Sequence, residues 1–212
     1  ANPARKAEFA GDIEQVEKLI AERDADTKRD FFLGYAQPRL LNTARSLYRL
    51  SNESTKADTE RKSGYQTRDL PRLEAGITSV ERTYDEKVDK ALVLNSLTKY
   101  AAQPAAQRRA SFDAAIGIKD GMSPAELSAA LDKLYANSKL ADKEERAAWL
   151  KRTPAEFQAS KDSFIQAAVA MYPDSLKNEA EDEELAGKIQ QAYANYMKAK
   201  IAFMKSKGQA VY

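Results

Sequence analysis

The chain contains no cysteine and no histidine. Without cysteine it can form neither a disulfide nor a thiolate metal site, and its redox compartment leaves no trace in the sequence. Without histidine it cannot hold a Ser-His-Asp or Cys-His relay of its own, and it lacks the commonest metal ligand. Glycine (8) and proline (7) are few among 212 residues. The glycines are scattered, so no Gly-rich phosphate loop can be assembled from them. An excess of one charge sign is missing too: 34 basic residues face 32 acidic ones, for a formal net charge of +2. That balance argues against a nucleic-acid or anionic-membrane footprint, which gathers one sign on one face. No apolar run approaches the length of a membrane span. Alternation of apolar and polar residues is never sustained and β-branched residues never cluster, so strand signals are scarce.

What the chain has in abundance is helical periodicity. A hydrophobic content of 43% and a charged content of 31% fit a soluble globular protein, and the length is enough to bury a substantial core. Residues 1–212 read as a single, all-α domain, an irregular multi-helix bundle with a long C-terminal helix. The chain opens on Ala1-Asn2-Pro3 rather than Met, which reads as a processed protein or a piece of a longer one.

Phe9, Ile13, Val16, Leu19 and Ile20 recur at three- and four-residue spacing, predicting a first helix over about Ala4–Arg23 and a turn at Asp24–Asp26. A second helix is expected from Thr27 to about Ser51, with a kink or break near Tyr35–Gln37 because Pro38 removes a backbone donor and crowds the preceding turn. Leu70, Leu73, Ile77, Val80 and Tyr84 predict a third helix over about Arg68–Tyr84. Asp85 is placed to cap a fourth, about Glu86–Ala102, with Val88, Leu92, Leu97 and Tyr100 as its apolar face. Pro104 opens a shorter segment to Ile116, and Gly117 and Gly121 bracket a loop.

Ser123-Pro124-Ala125-Glu126 is the clearest local signal. The Ser123 hydroxyl can accept from the third helical N–H while Glu126 reaches back to the cap, and Pro124 suits the first helical position. Leu127, Leu131, Leu134 and Tyr135 then form a buried stripe. Thr153-Pro154-Ala155-Glu156 repeats the same box, and between the two lies a short helix, Asp142–Lys151, whose Trp149 reads as core filling. From Asp162 to about Lys205 the pattern pauses only at Pro173, with Leu185, Ile189, Ala192, Tyr196, Met197, Ile201 and Met204 in phase. From Asp174 to Lys205 such a helix would run about 48 Å.

Between the second and third helices lies Asn52–Leu73, a long connection with no apolar period of its own. Nine of its 22 residues are charged. Gly64 allows a turn at positive φ and Pro71 suits the first turn of the following helix. Tyr65, Arg68 and Asp69 are placed to hold a ligand or to satisfy the backbone of the connection, and the structural role is favoured, since Arg offers five donors and Asp caps helices well. Elsewhere, the acidic run Glu179–Glu184 lacks the turning loop and carbonyls of a calcium site and reads as a solvated helix face. Lys198, Lys200, Lys205 and Lys207 complement the C-terminal end of a helix dipole. No catalytic, cofactor-binding or metal-ligating residue is assigned, and no cofactor is implied.

The run Gly64-Tyr65-Gln66-x-Arg68-Asp69, with Glu53, Lys56, Asp58 and Glu60-Arg61 before it, resembles a segment of the helical domain of the bacterial dipeptidyl peptidases 7 and 11. These are chymotrypsin-like serine exopeptidases with a large helical insertion. The resemblance continues in order through Tyr84-Asp85, Val88-Asp89, Leu134-Tyr135, Lys139-Leu140, Trp149-Leu150 and Val211-Tyr212. It implies a helical cap domain inserted in a double β-barrel that carries the catalytic triad outside this chain. It implies a periplasmic enzyme acting on oligopeptides with a free N-terminus, and leaves a homodimer of the full-length enzyme open. In that family an asparagine of the helical domain helps to hold the substrate amine. Its segment precedes Ala1, so the role is not carried to Asn42 or Asn52. The rival reading, from another class, is a free-standing helical interaction module or periplasmic scaffold, which would need an exposed apolar groove or patch.

Overall fold

The computed structural model of the chain describes residues 3–210, with side chains from residue 8 onward. The Ala1-Asn2 opening and the Val211-Tyr212 match lie outside the described residues. Among these there is no strand and there are nine α-helices: α1 Pro3–Ala36, α2 Arg39–Glu53, α3 Leu70–Thr78, α4 Glu86–Ala101, α5 Ala110–Ile116, α6 Pro124–Ala136, α7 Lys143–Trp149, α8 Pro154–Gln158 and α9 Ser163–Ser206. Single 3-10 turns occupy Asp58–Glu60, Val80–Arg82 and Ala105–Gln107.

The chain forms two compact units. One is Asp30–Asp174; the other is made of the chain before and after it. In the Asp30–Asp174 unit, α4 packs on α6, α3 on α7, α2 on α8 and α5 on α6. Its core takes Leu40, Leu41, Leu47 and Tyr48 from α2, and Leu97 and Tyr100 from α4. Phe112, Leu127, Leu131, Phe157 and Phe164 complete its centre. Aromatic rings lock the layers edge to face, Tyr100 on Phe112 and Tyr135 on Phe164, a geometry favoured by the ring quadrupoles. Trp149 lies 4.6 Å from Phe157, centroid to centroid, and fills the margin of this core. The other unit has a much smaller core: Val16, Leu19 and Ala192 are buried, with Ile20, Leu185, Ile189 and Tyr196 packed around them.

The structure departs from the periodicity at four places. The turn expected at Asp24–Asp26 does not form. No Gly or Pro interrupts this stretch, the Thr27 hydroxyl bonds back to Arg23 O, Arg29 pairs with Asp26 across one turn, and α1 runs on to Ala36. It ends just before Pro38, where the break was expected. The third helix is shorter than its pattern and gives way to the 3-10 turn Val80–Arg82.

The apolar face of α4 is rotated. Val88 and Leu92 are 57% and 63% exposed, and the inward face is Asp89, Val93, Leu97 and Tyr100. Asp89 sets this face because one carboxylate oxygen accepts both the Arg39 N–H and the Tyr135 hydroxyl. A charged residue that satisfies two donors thus outweighs two apolar side chains left in water. Finally, Pro173 does not interrupt α9, although a proline inside a helix ordinarily costs about 3 kcal/mol. Met171 and Tyr172, which precede it, pack into or against the core, and that packing offsets the lost backbone bond.

The caps form as the sequence requires. Asp85 accepts from Val88 N, and both Ser123 and Thr153 complete reciprocal boxes. Glu126 accepts from Ser123 N at 2.8 Å while Ser123 Oγ accepts from Glu126 N at 3.3 Å. Replacing Ser123 with Ala is expected to lower stability by about 0.5–2 kcal/mol. Coincident urea midpoints for the two proteins would show that Ser123 contributes nothing as a cap.

Candidate functional site

The Asn52–Leu73 connection is held by carboxylates that reach across its turns. Glu53, the last residue of α2, is completely buried. Its carboxylate accepts from Lys62 N at 3.0 Å, meets Lys56 Nζ at 2.9 Å and lies 2.8 Å from Arg49 Nε. Burial alone would raise the Glu53 carboxyl. The Lys62 N–H, the Lys56 ammonium and Arg49 together outweigh burial and hold it below the usual carboxylate range. Asp58 Oδ1 accepts from both Thr67 N and Thr67 Oγ1 at 2.7 Å, and these two bonds likewise depress its carboxyl. Asp69 Oδ2 accepts from Gly64 N at 3.0 Å, where Gly64 adopts φ 91°, a left-handed conformation open to glycine.

The residues singled out from the sequence take different places in this arrangement. Asp69 closes the inner turn. The Tyr65 ring lies 5.9 Å from the Arg49 guanidinium, which is equally distant from the Tyr172 ring of α9. The Arg68 side chain is 75% exposed and only approaches Asp69, at 3.9 Å. Ser123 and Glu126 belong to the α6 cap. Along α9, Glu181–Glu184 are exposed, with Lys177 and Lys188 beside them. Among the described residues, no group of three or more His, Cys, Asp or Glu side chains is placed to hold a metal ion.

Sequence reading gave no structural role to Glu53 and Arg146, the two charged side chains with no exposed surface among the described residues. A signal existed for both. Glu53 continues the buried spacing of Leu47 and Leu50 on α2, and Arg146 shares the inward face of α7 with Trp149 and Leu150. Their charge removed them from an apolar count.

Beside the connection, α2 and α3 border an open groove of about 410 Å³. Asn42, Thr43 and Ser46 line it from α2, one face at i, i+1 and i+4. Leu73, Ile77 and Val80 form its apolar side, Gly64 and Gly76 leave it open, and Arg39 and Arg72 border it. No carboxylate lines it. This lining offers hydrogen-bond donors and positive charge but no general base, so its chemistry is binding.

In comparisons with known proteins, residues 1–212 match the family model described as Peptidase S46. The Asp/Glu-specific dipeptidyl-peptidase of Shewanella putrefaciens (strain CN-32 / ATCC BAA-453) is 35% identical over 201 residues, covering 94% of this chain and 27% of that protein. The chain thus spans about a quarter of the length of this curated relative.

Proposed function

The chain belongs to the peptidase S46 family, and from that premise we propose that it is the helical cap of a serine dipeptidyl peptidase. The enzyme would release dipeptides from the free N-terminus of oligopeptides, in the periplasm. The observation that carries this reading is the full-length family match of a chain that is helical throughout its described elements and has no histidine. Acyl transfer by a serine needs a base to take its proton. In this reading the nucleophile, the histidine and the aspartate come from the larger part of the enzyme, a β-barrel region for which the helices supply a cover.

The cap acts by shape and by exclusion of water. Closing one end of a cleft leaves room for two residues before the scissile bond. It also strengthens the electrostatic interactions inside the cleft, as lids do. The two serine hydroxyls that reach across between distant segments have structural partners: Ser51 Oγ donates to Arg152 O and Ser163 Oγ to Leu134 O.

A fluorogenic dipeptide amide offered to this chain and to the full-length enzyme tests the proposal. Only the full-length enzyme is expected to turn it over, and N-acetylation of the dipeptide should abolish turnover. Hydrolysis by this chain, suppressed by a serine-protease inhibitor, would overturn the cap role. Equal cleavage of free and acetylated substrates by the full-length enzyme would overturn the exopeptidase assignment.

A further inference from the structure

We propose that the groove between α2 and α3 binds an extended acidic peptide, with a carboxylate of the peptide on Arg72. This rests on the groove itself and not on the peptidase reading.

Charge defines the class of ligand. Two guanidinium groups border the groove and no carboxylate lines it. Arg39 is partly engaged, with Nη1 donating to Thr83 O at 3.3 Å. Arg72 is exposed, and its guanidinium meets no partner among the described residues. The one carboxylate adjoining the groove on the connection, Asp69, accepts from Gly64 N. A carboxylate ligand would therefore meet the guanidinium donors with no neighbouring anion in the lining to repel it.

The rest of the lining distinguishes a peptide from a bare anion. Leu73, Ile77 and Val80 offer apolar surface, while Asn42 and Ser46, one turn apart on α2, leave an amide and a hydroxyl without a partner among the described residues. Such a pair can hydrogen-bond a peptide backbone that the apolar side helps to desolvate. Dimensions select an extended segment. From Arg72 to Val80 the groove follows the chain for about 12 Å at 1.5 Å per helical residue, room for about three to four extended residues at ~3.3 Å each. A helix about 10–12 Å across would not enter 410 Å³. Gly76 keeps the space free: a Cβ built there meets nothing within 4 Å.

Calorimetric titration with the blocked peptide acetyl-Ala-Glu-Leu-Ala-amide and its Gln counterpart tests the site. The Glu peptide is expected to bind this chain at least about tenfold more tightly than the Gln peptide, in line with one charge-assisted bond, and more weakly as salt rises. Arg72→Gln should erase the difference between the peptides. Gly76→Leu should abolish binding by filling the groove, and since leucine favours helix over glycine, an unchanged circular dichroism spectrum will separate blockage from misfolding. Equal affinity for the two peptides, or full affinity in Gly76→Leu, overturns the proposal. Binding by this chain but not by the full-length enzyme also overturns it, because a segment of the enzyme itself would then occupy the groove.

Discussion

Replacing Arg146 with alanine is expected to cost about 3–5 kcal/mol of stability, the sum of buried carbonyls left without donors and the cavity left by a large side chain. Arg146 has no exposed surface. Its Nε donates to Ile77 O, Nη1 to Leu140 O and Ala141 O, and Nη2 approaches Thr78 O and pairs with Glu81. Ile77 and Thr78 close α3, so their carbonyls are among those a helix end leaves without partners. Arg146 therefore caps α3 by a side chain from α7, while fixing the loop that joins α6 to α7.

Alanine would strand these carbonyls in the interior and open a cavity as well. Lysine should recover only part of the loss, because one ammonium cannot reproduce the planar fork that serves carbonyls on two segments at once. Urea unfolding of the three proteins, with slopes compared so that only stability is read, gives the measurement. A loss below about 1 kcal/mol for Arg146→Ala would contradict the capping role.

Glu53→Ala is expected to cost about 3 kcal/mol, the lower end of the range for removing one partner of a buried charge pair, because its partners keep other contacts: Arg49 retains the Tyr65 and Tyr172 rings, and Lys56 is partly exposed. The loss should be felt first in the connection. Without the carboxylate, Lys62 N loses its acceptor and the last turn of α2 is no longer tied to the residues after Asp58. Trypsin should then cut at Arg61 or Lys62 faster than in the parent chain, while Arg68→Ala, at an exposed position, should leave that rate unchanged.

The pH dependence has a definite sign. The folded Glu53 carboxyl lies below its ordinary value of 4.5, so its contribution is present above that value and is lost as pH falls through the depressed folded one. The gap in stability between parent and Glu53→Ala should close on acidification. A gap that is constant from pH 7 to strongly acidic conditions would remove Glu53 from this role.

These two residues also mark where reading the sequence stopped. Helices and caps were legible because their signals are local: the spacing of Leu127, Leu131, Leu134 and Tyr135, the boxes at Ser123 and Thr153, and Pro38 between α1 and α2. The rotation of α4 was not, since it depends on Asp89 meeting Arg39 and Tyr135 from two other helices. The connection was visible as an anomaly, and Tyr65 and Asp69 do take part in holding it. Its main anchor escaped because a carboxylate is counted as surface unless its partners are known, and those partners are set by tertiary packing. The groove was invisible for the same reason. Asn42, Ser46, Arg72 and Gly76 have nothing in common until α2 and α3 are placed side by side.

Leu185, Ile189, Ala192, Tyr196 and the buried Ala199 of α9 follow one another at intervals of four, three, four and three residues, and the first four enter the small core with Val16, Leu19 and Ile20 of α1. That spacing is the seam of a coiled coil, here only a few layers deep and carrying two alanines. Seams this short and this lightly filled open by local unfolding at far lower free energy than a core containing Leu41, Leu97, Phe112 and Phe164. Each of α1 and α9 is thus one unbroken helix that is expected to divide in amide exchange. Deuterium should enter α9 around Ala192 long before it enters around Ile165, and α1 around Val16 before α2 around Ala44.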